Sequence, residues 1–152
     1  MGSRQKSQQT HLALRAAKAQ PVIEVAAGLV FRDGKLLITQ RHAEAHLGGL
    51  WEFPGGKREP QETFLQCLER ELSEELGIEV EVGQLVQSVT HSYPEKTVLL
   101  QFYRCQWTRH EPQKLGCPDF CWVTRDQIAQ YQFPAADARI VQRLTFDRSL
   151  WQ

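Results

Sequence analysis

Glu71, Glu74 and Glu75 stand three and four residues apart in a stretch that reads GKREPQETFLQCLERELSEELGI from Gly56 to Ile78. On a helix turning about 100° per residue, the three carboxylates fall within roughly 100° of arc, on one face. Leu65, Leu68, Leu72 and Leu76 fall on another, forming an apolar stripe that can dock on a core. Carboxylates at these spacings repel one another by about 0.2–0.5 kcal/mol per pair. A divalent cation converts that repulsion into ligation, because hard cations prefer carboxylate oxygens. A solvated acidic face is the other use of such a pattern. The flanking residues bear on the choice. Gly56 lets backbone approach an ion or a phosphate without an intervening Cβ. Arg70, four residues before Glu74, is placed to orient the carboxylates, and Glu62 to pair with Arg70 at the helix start.

The complete pattern is G-x5-E-x7-R-E-L-x-E-E-x-G-I, with nine specified positions over 23 residues. It resembles the Nudix box, the signature of the Nudix hydrolases, and fills every fixed position of it. The resemblance implies hydrolysis of a nucleoside diphosphate linked to a further group, on an α/β/α sandwich with a mixed central sheet, an α+β fold. It also implies Mg²⁺ as cofactor, with Mn²⁺ as a substitute, held by Glu71, Glu74, Glu75 and the carbonyl of Gly56. The catalytic set is then Glu71, Glu74 and Glu75, with Arg70 and Glu62 in support.

The similarity continues across roughly residues 22–146. Gly48-Gly49-Leu50-Trp51-Glu52-Phe53-Pro54-Gly55-Gly56-Lys57, the Gln40-Arg41 pair, His46, His91-Ser92-Tyr93 and Phe133-Pro134-Ala135-Ala136-Asp137 resemble segments of MutT-like nucleoside triphosphate pyrophosphohydrolases. From these come the candidate substrate contacts Arg41, His46, Phe53, Tyr93, Phe133 and Asp137. Arg41 suits phosphate oxygens through its fork of donors. Where the MutT-like pattern reads the base with asparagine, this chain has Asp137. An ionised carboxylate only accepts, so it suits the amino groups of cytosine or adenine or the N1 and N2 donors of guanine. A donor to O6 of 8-oxoguanine requires the carboxyl to be protonated. Asp137 is equally placed to cap the last helix. The further glutamate that many relatives carry between residues 111 and 122 is missing, with Asp119 as the local substitute.

These residues need elements to hold them. Val22–Phe31 is β-rich, Asp33-Gly34 makes a hairpin turn, and Lys35–Thr39 returns. Gln40–Pro60 reads as a long functional loop. A helix over 61–76 follows, closed by Gly77. Strands are expected over Glu79–His91, Lys96–Trp107 and Asp119–Val123. Thr124 should cap a helix reaching Ala129, and a final helix should span Ala135–Phe146 with Ile140, Val141 and Leu144 inward.

Eighteen acidic residues balance eighteen basic ones in 152, which does not suit a strongly basic nucleic-acid binder. The expected partner is a small nucleotide, with no stable nucleic-acid binding, no membrane, and a monomer or homodimer. Residues 1–20 carry Arg4, Lys6, Arg15 and Lys18 without an acid and are expected to be a flexible basic tail ahead of a domain at 21–150. Cys67, Cys105, Cys117 and Cys121 lack paired zinc knuckles and fit reduced thiols in a cytoplasmic protein. Two alternatives compete. One is a Nudix hydrolase acting on 5′-triphosphorylated RNA or a nucleotide sugar. The other is a non-catalytic base-reading module like the C-terminal domain of MutY-type glycosylases.

Overall fold

The computed structural model describes residues 20–152, so residues 1–19 of the expected basic tail lie outside the described residues. Seven strands form one mixed sheet: β1 (Val22–Arg32), β2 (Lys35–Gln40), β3 (Trp51–Glu52), β4 (Gly55–Lys57), β5 (Glu79–Ser92), β6 (Thr97–Arg109) and β7 (Phe120–Val123). Two α-helices, α1 (Phe64–Leu76) and α2 (Ala138–Phe146), cover it. The main order is β3-β2-β1-β6-β5, with β4 paired to β1 and β7 to β2. Only β1 and β6 run parallel among these pairs.

Alternation along the central strands sorts the core into two layers. Ala26, Val30, Leu37, Tyr103 and Cys105 face α1, meeting Cys67, Leu68, Leu72 and Leu76. Ala27, Leu29, Phe31, Leu36, Ile38 and Phe102 face the opposite way, meeting Ile128, Ile140 and Leu144. A strand buried on both faces reads as a nearly unbroken apolar run, as β1 does. Ala26-Ala27-Gly28 therefore does not interrupt it. Asp33 and Gly34 both have positive φ, as a two-residue type I′ hairpin turn demands.

Several expected boundaries move. The α1 helix starts at Phe64, because Thr63 caps it: the Thr63 hydroxyl accepts from the Gln66 amide, and the Gln66 side chain accepts from the Thr63 amide. Leu65 is exposed, and Phe64 packs on the core in its place. The Gln40–Pro60 loop contains the short strands β3 and β4. The expected Thr124–Ala129 helix is only a 3-10 turn at Ile128–Gln130. There the Thr124 amide donates to the Gln127 side chain and starts no α-helix. The last helix begins with a 3-10 turn at Ala135–Asp137. After the last helix, Trp151 donates to the Leu144 carbonyl at 2.8 Å and packs on Phe31. No helix among the described residues is long and apolar enough to cross a membrane.

Candidate active site

The carboxylate helix gains its orientation from the leucines on its buried side, and Gly77 closes it in the left-handed conformation with φ 66°. Its polar face turns toward β4. An added Cβ on Gly56 would lie 2.4–2.6 Å from the carboxylate atoms of Glu71, so glycine is what allows Glu71 to rest on the β4 backbone. The Gly56 carbonyl accepts from Cys67 Sγ at 3.4 Å, a weak donor, and a carbonyl retains a second lone pair.

Arg70 organises the other carboxylates. Its Nε and Nη2 donate to Glu62 at 3.0 and 2.6 Å, and its Nη1 donates to Glu71 at 2.9 Å and to Glu74 at 3.3 Å. The hydrogen bonds from Arg70 hold the Glu62 carboxyl down at about 2. Glu75 has no such partner among the described residues. Burial, then the neighbouring Glu71, push its carboxyl up to about 8. The described residues hold no preassembled group of three or more metal-ligating side chains. Glu74 is largely exposed and turned to Arg70.

A cavity of about 290 Å³ opens beside this face. It is lined by Glu75, Gly55, Gly56 and Lys57, by Pro134, Ala136 and Asp137, and by the apolar Ile23, Val25, Val98 and Leu100. Arg41, His46, Tyr93, Lys96 and Glu52 also line it. The structure thus brings Glu75, Gly56, Arg41, His46, Tyr93 and Asp137 to one cavity.

Arg41 is engaged within it: Nη1 donates to Glu52 at 2.7 Å and Nε to the His46 carbonyl at 2.7 Å. His46 and His91 both meet Tyr93 edge-on. Asp137 is buried and makes no side-chain cap on α2, so its carboxyl is free of that duty. Burial, then the charge of Glu52, push it up to about 7 against the pull of Arg41.

Two expected contacts sit elsewhere. Phe53 is buried on the α2 side of the sheet, stacked on Phe133 with centroids 5.0 Å apart, and neither ring lines the cavity. Asp119 pairs with Lys114 at 3.3 Å and does not line it either. Glu52, Lys57 and Lys96 line the cavity without being among the expected contacts. For Glu52 a signal existed: Trp51 and Phe53 belong to the α2-side core, so strand alternation sends Glu52 to the opposite face.

A family profile described as a NUDIX domain matches residues 26–143. The chain belongs to the NUDIX domain family. Among NUDIX relatives, the CTP pyrophosphohydrolase of Escherichia coli is 38% identical over 126 residues, covering 80% of this chain and 90% of that one. The 8-oxo-dGTP diphosphatase of Proteus vulgaris is 40% identical over 96 residues, covering 62% and 86%. The solution structure of a MutT NUDIX hydrolase from methicillin-resistant Staphylococcus aureus superposes with a TM-score of 0.70 at 31% identity, covering 84% of this chain and 98% of that one. This chain is accordingly a NUDIX hydrolase with the α+β NUDIX sandwich, and a divalent metal is the family's general requirement.

Proposed function

We propose that the chain is a Mg²⁺-dependent pyrophosphohydrolase that converts a nucleoside or deoxynucleoside triphosphate to its monophosphate and pyrophosphate, clearing oxidised or unwanted nucleotides from the pool. The observation that carries this reading is one cavity lined both by Glu75 and Gly56 of the carboxylate corner and by Asp137. Its volume suits a nucleobase and sugar, with the phosphates lying toward the helix. The names of the two relatives above bracket the substrate class, a cytosine or an 8-oxoguanine nucleotide.

The donor set fits a hard cation. Glu71 lies on a glycine cradle that a Cβ would fill, and Glu75 is a carboxylate without a cationic partner among the described residues. Glu71, Glu74 and Glu75 would hold the ion, with the Gly56 carbonyl. Bound there, Mg²⁺ supplies the positive charge that the phosphoryl oxygens need as the anhydride breaks. The remaining steps belong to the chain. Lys57 and Arg41 draw the phosphates to the helix end of the cavity. Arg70 fixes the rotamers of Glu71 and Glu74. An α1 glutamate, best Glu75, accepts the proton of the attacking water, since Asp119 is bound to Lys114 outside the cavity. Asp137 reads the base edge, accepting when ionised and donating when protonated.

A panel of canonical, oxidised and methylated triphosphates, assayed with Mg²⁺ for pyrophosphate release, tests this. Activity should be found on a cytosine or 8-oxoguanine nucleotide and be almost abolished in Glu74→Gln and Glu75→Gln. Release of pyrophosphate from no member of the panel defeats the reading. Nothing in the geometry favours a non-catalytic module or a nucleotide sugar.

A further inference from the structure

The segment from Glu111 to Asp119 lies over the C-terminal end of α1. Carbonyls in the last turn of a helix need donors from elsewhere, and this segment provides them. Gln113 donates its amide to Leu76 at 2.9 Å, while Leu115 and Gly116 donate theirs to Glu75 at 3.1 and 3.0 Å. Gly116 also presses on the Glu75 side chain. A Cβ there would stand 3.2 Å from Glu75 Cα and 3.3 Å from its Cγ. The backbone carbonyl and the Cα–Cγ stem of Glu75, which carries its carboxylate, are thus held by a loop.

That loop is fastened across the cleft at two places. The Gln40 amide donates to the Asp119 carbonyl at 2.9 Å, and His42 Nε2 stands 3.1 Å from the Gly116 carbonyl. A carbonyl only accepts, so the imidazole must carry its proton on Nε2. His42 follows Arg41, which itself holds Glu52 on the cavity wall. Two adjacent residues after β2 therefore control two carboxylates: Arg41 directly, His42 through Gly116.

We propose that His42 is a positioning residue for hydrolysis: its Nε2–H holds the Gly116 carbonyl, latches the 111–119 loop, and so sets the Glu75 carboxylate. The proposal rests on Glu75 serving the reaction as described above. The His42–Gly116 contact is itself exposed, while the neighbouring Cys117 stays buried in the α1-side core, so loss of the latch should disturb the site more than the fold.

Full-length His42→Ala, His42→Gln, Gly116→Ala and the double variant His42→Ala/Gly116→Ala decide it, assayed for triphosphate hydrolysis at saturating Mg²⁺. In His42→Ala, kcat should fall about tenfold, with KM within roughly twofold, as expected for loss of one positioning hydrogen bond. His42→Gln should recover most of it, because the glutamine amide reaches about as far as imidazole Nε2. Gly116→Ala, which displaces Glu75 from the same side, should cost less in the His42→Ala background than in wild type.

Two readouts do not depend on turnover. Amide exchange at Leu115 and Gly116 should quicken in His42→Ala and slow again in His42→Gln, and Mg²⁺ binding without nucleotide should weaken in step. Wild-type kinetics and exchange in His42→Ala would overturn the latch. So would a His42→Gln as impaired as the alanine variant. A wild-type chain inactive on every triphosphate overturns the hydrolase reading instead, and the exchange measurement still judges the latch.

Discussion

Replacing Asp137 with asparagine should stabilise the protein at pH 8 and redirect its choice of base. An aspartate ordinarily titrates near 3.8, but burial, then Glu52, push Asp137 up to about 7. The folded chain therefore keeps this proton to higher pH than the unfolded chain does. Stability falls as pH rises from about 4 through about 7, because over that interval the native state binds more protons. At about 1.4 kcal/mol per pKa unit, holding the buried charge at pH 8 costs on the order of 2–4 kcal/mol. Asparagine is the neutral isostere of the carboxyl, so Asp137→Asn recovers that cost. The expected melting temperature at pH 8 rises by roughly 6 °C or more. At pH 4 the carboxyl is protonated in the folded chain and the gain shrinks below about 1 kcal/mol. Thermal unfolding of both proteins at the two pH values measures this directly. An equal shift at both pH values, or a loss confined to pH 8, refutes the placement of a strained carboxyl in the cavity. Run beside the nucleotide panel, the same variant should shift activity toward bases that need a donor. Unchanged relative rates would remove Asp137 from base reading.

Three other outcomes follow from the geometry. Gly56→Ala drives a methyl into the Glu71 carboxylate; kcat should drop about a hundredfold or more while melting stays close to wild type, which steady-state kinetics and calorimetry compare. Arg70→Lys loses the fork that grips Glu62 and Glu71 together and should lower urea stability by about 1–2 kcal/mol. Because Glu75 must lose its proton to bind a cation and is pushed up to about 8, Mg²⁺ affinity without nucleotide should climb about tenfold per pH unit below 8 and level off above it. A flat titration would sink that assignment.

The layout of the carboxylate helix is legible in the sequence because helical geometry converts spacing into direction. Glu71, Glu74, Glu75 and the leucines follow the helical wheel, which gives direction but not depth. Leu65 points with the other leucines yet lies in the first turn, where Phe64 takes the contact with the core. The base end was harder. Phe53 and Phe133 are aromatic residues near the right motifs, but an aromatic ring packs a core as well as it stacks a base, and these two pack on each other. Alternation points Glu52 away from the α2-side core only once Trp51 and Phe53 are known to pack there, which the sequence does not say. Only the pairing of β3 with β2, Thr39 opposite Glu52, fixes its place in the sheet. At Thr124 a start signal was present and local, but the chain turns after one 3-10 turn to bury Ile128.

The two core layers have a consequence for how such a molecule can change over generations. The helix that bears the proposed metal ligands packs on one side of the sheet, and the turn that bears Asp137 leads into a helix packed on the other. Both reach the cavity, through Glu75 and Asp137. Substitutions that repack the second layer can shift Asp137 while leaving the first layer in register. A duplicated copy of this chain could drift toward a new nucleotide without first surrendering its ability to cut.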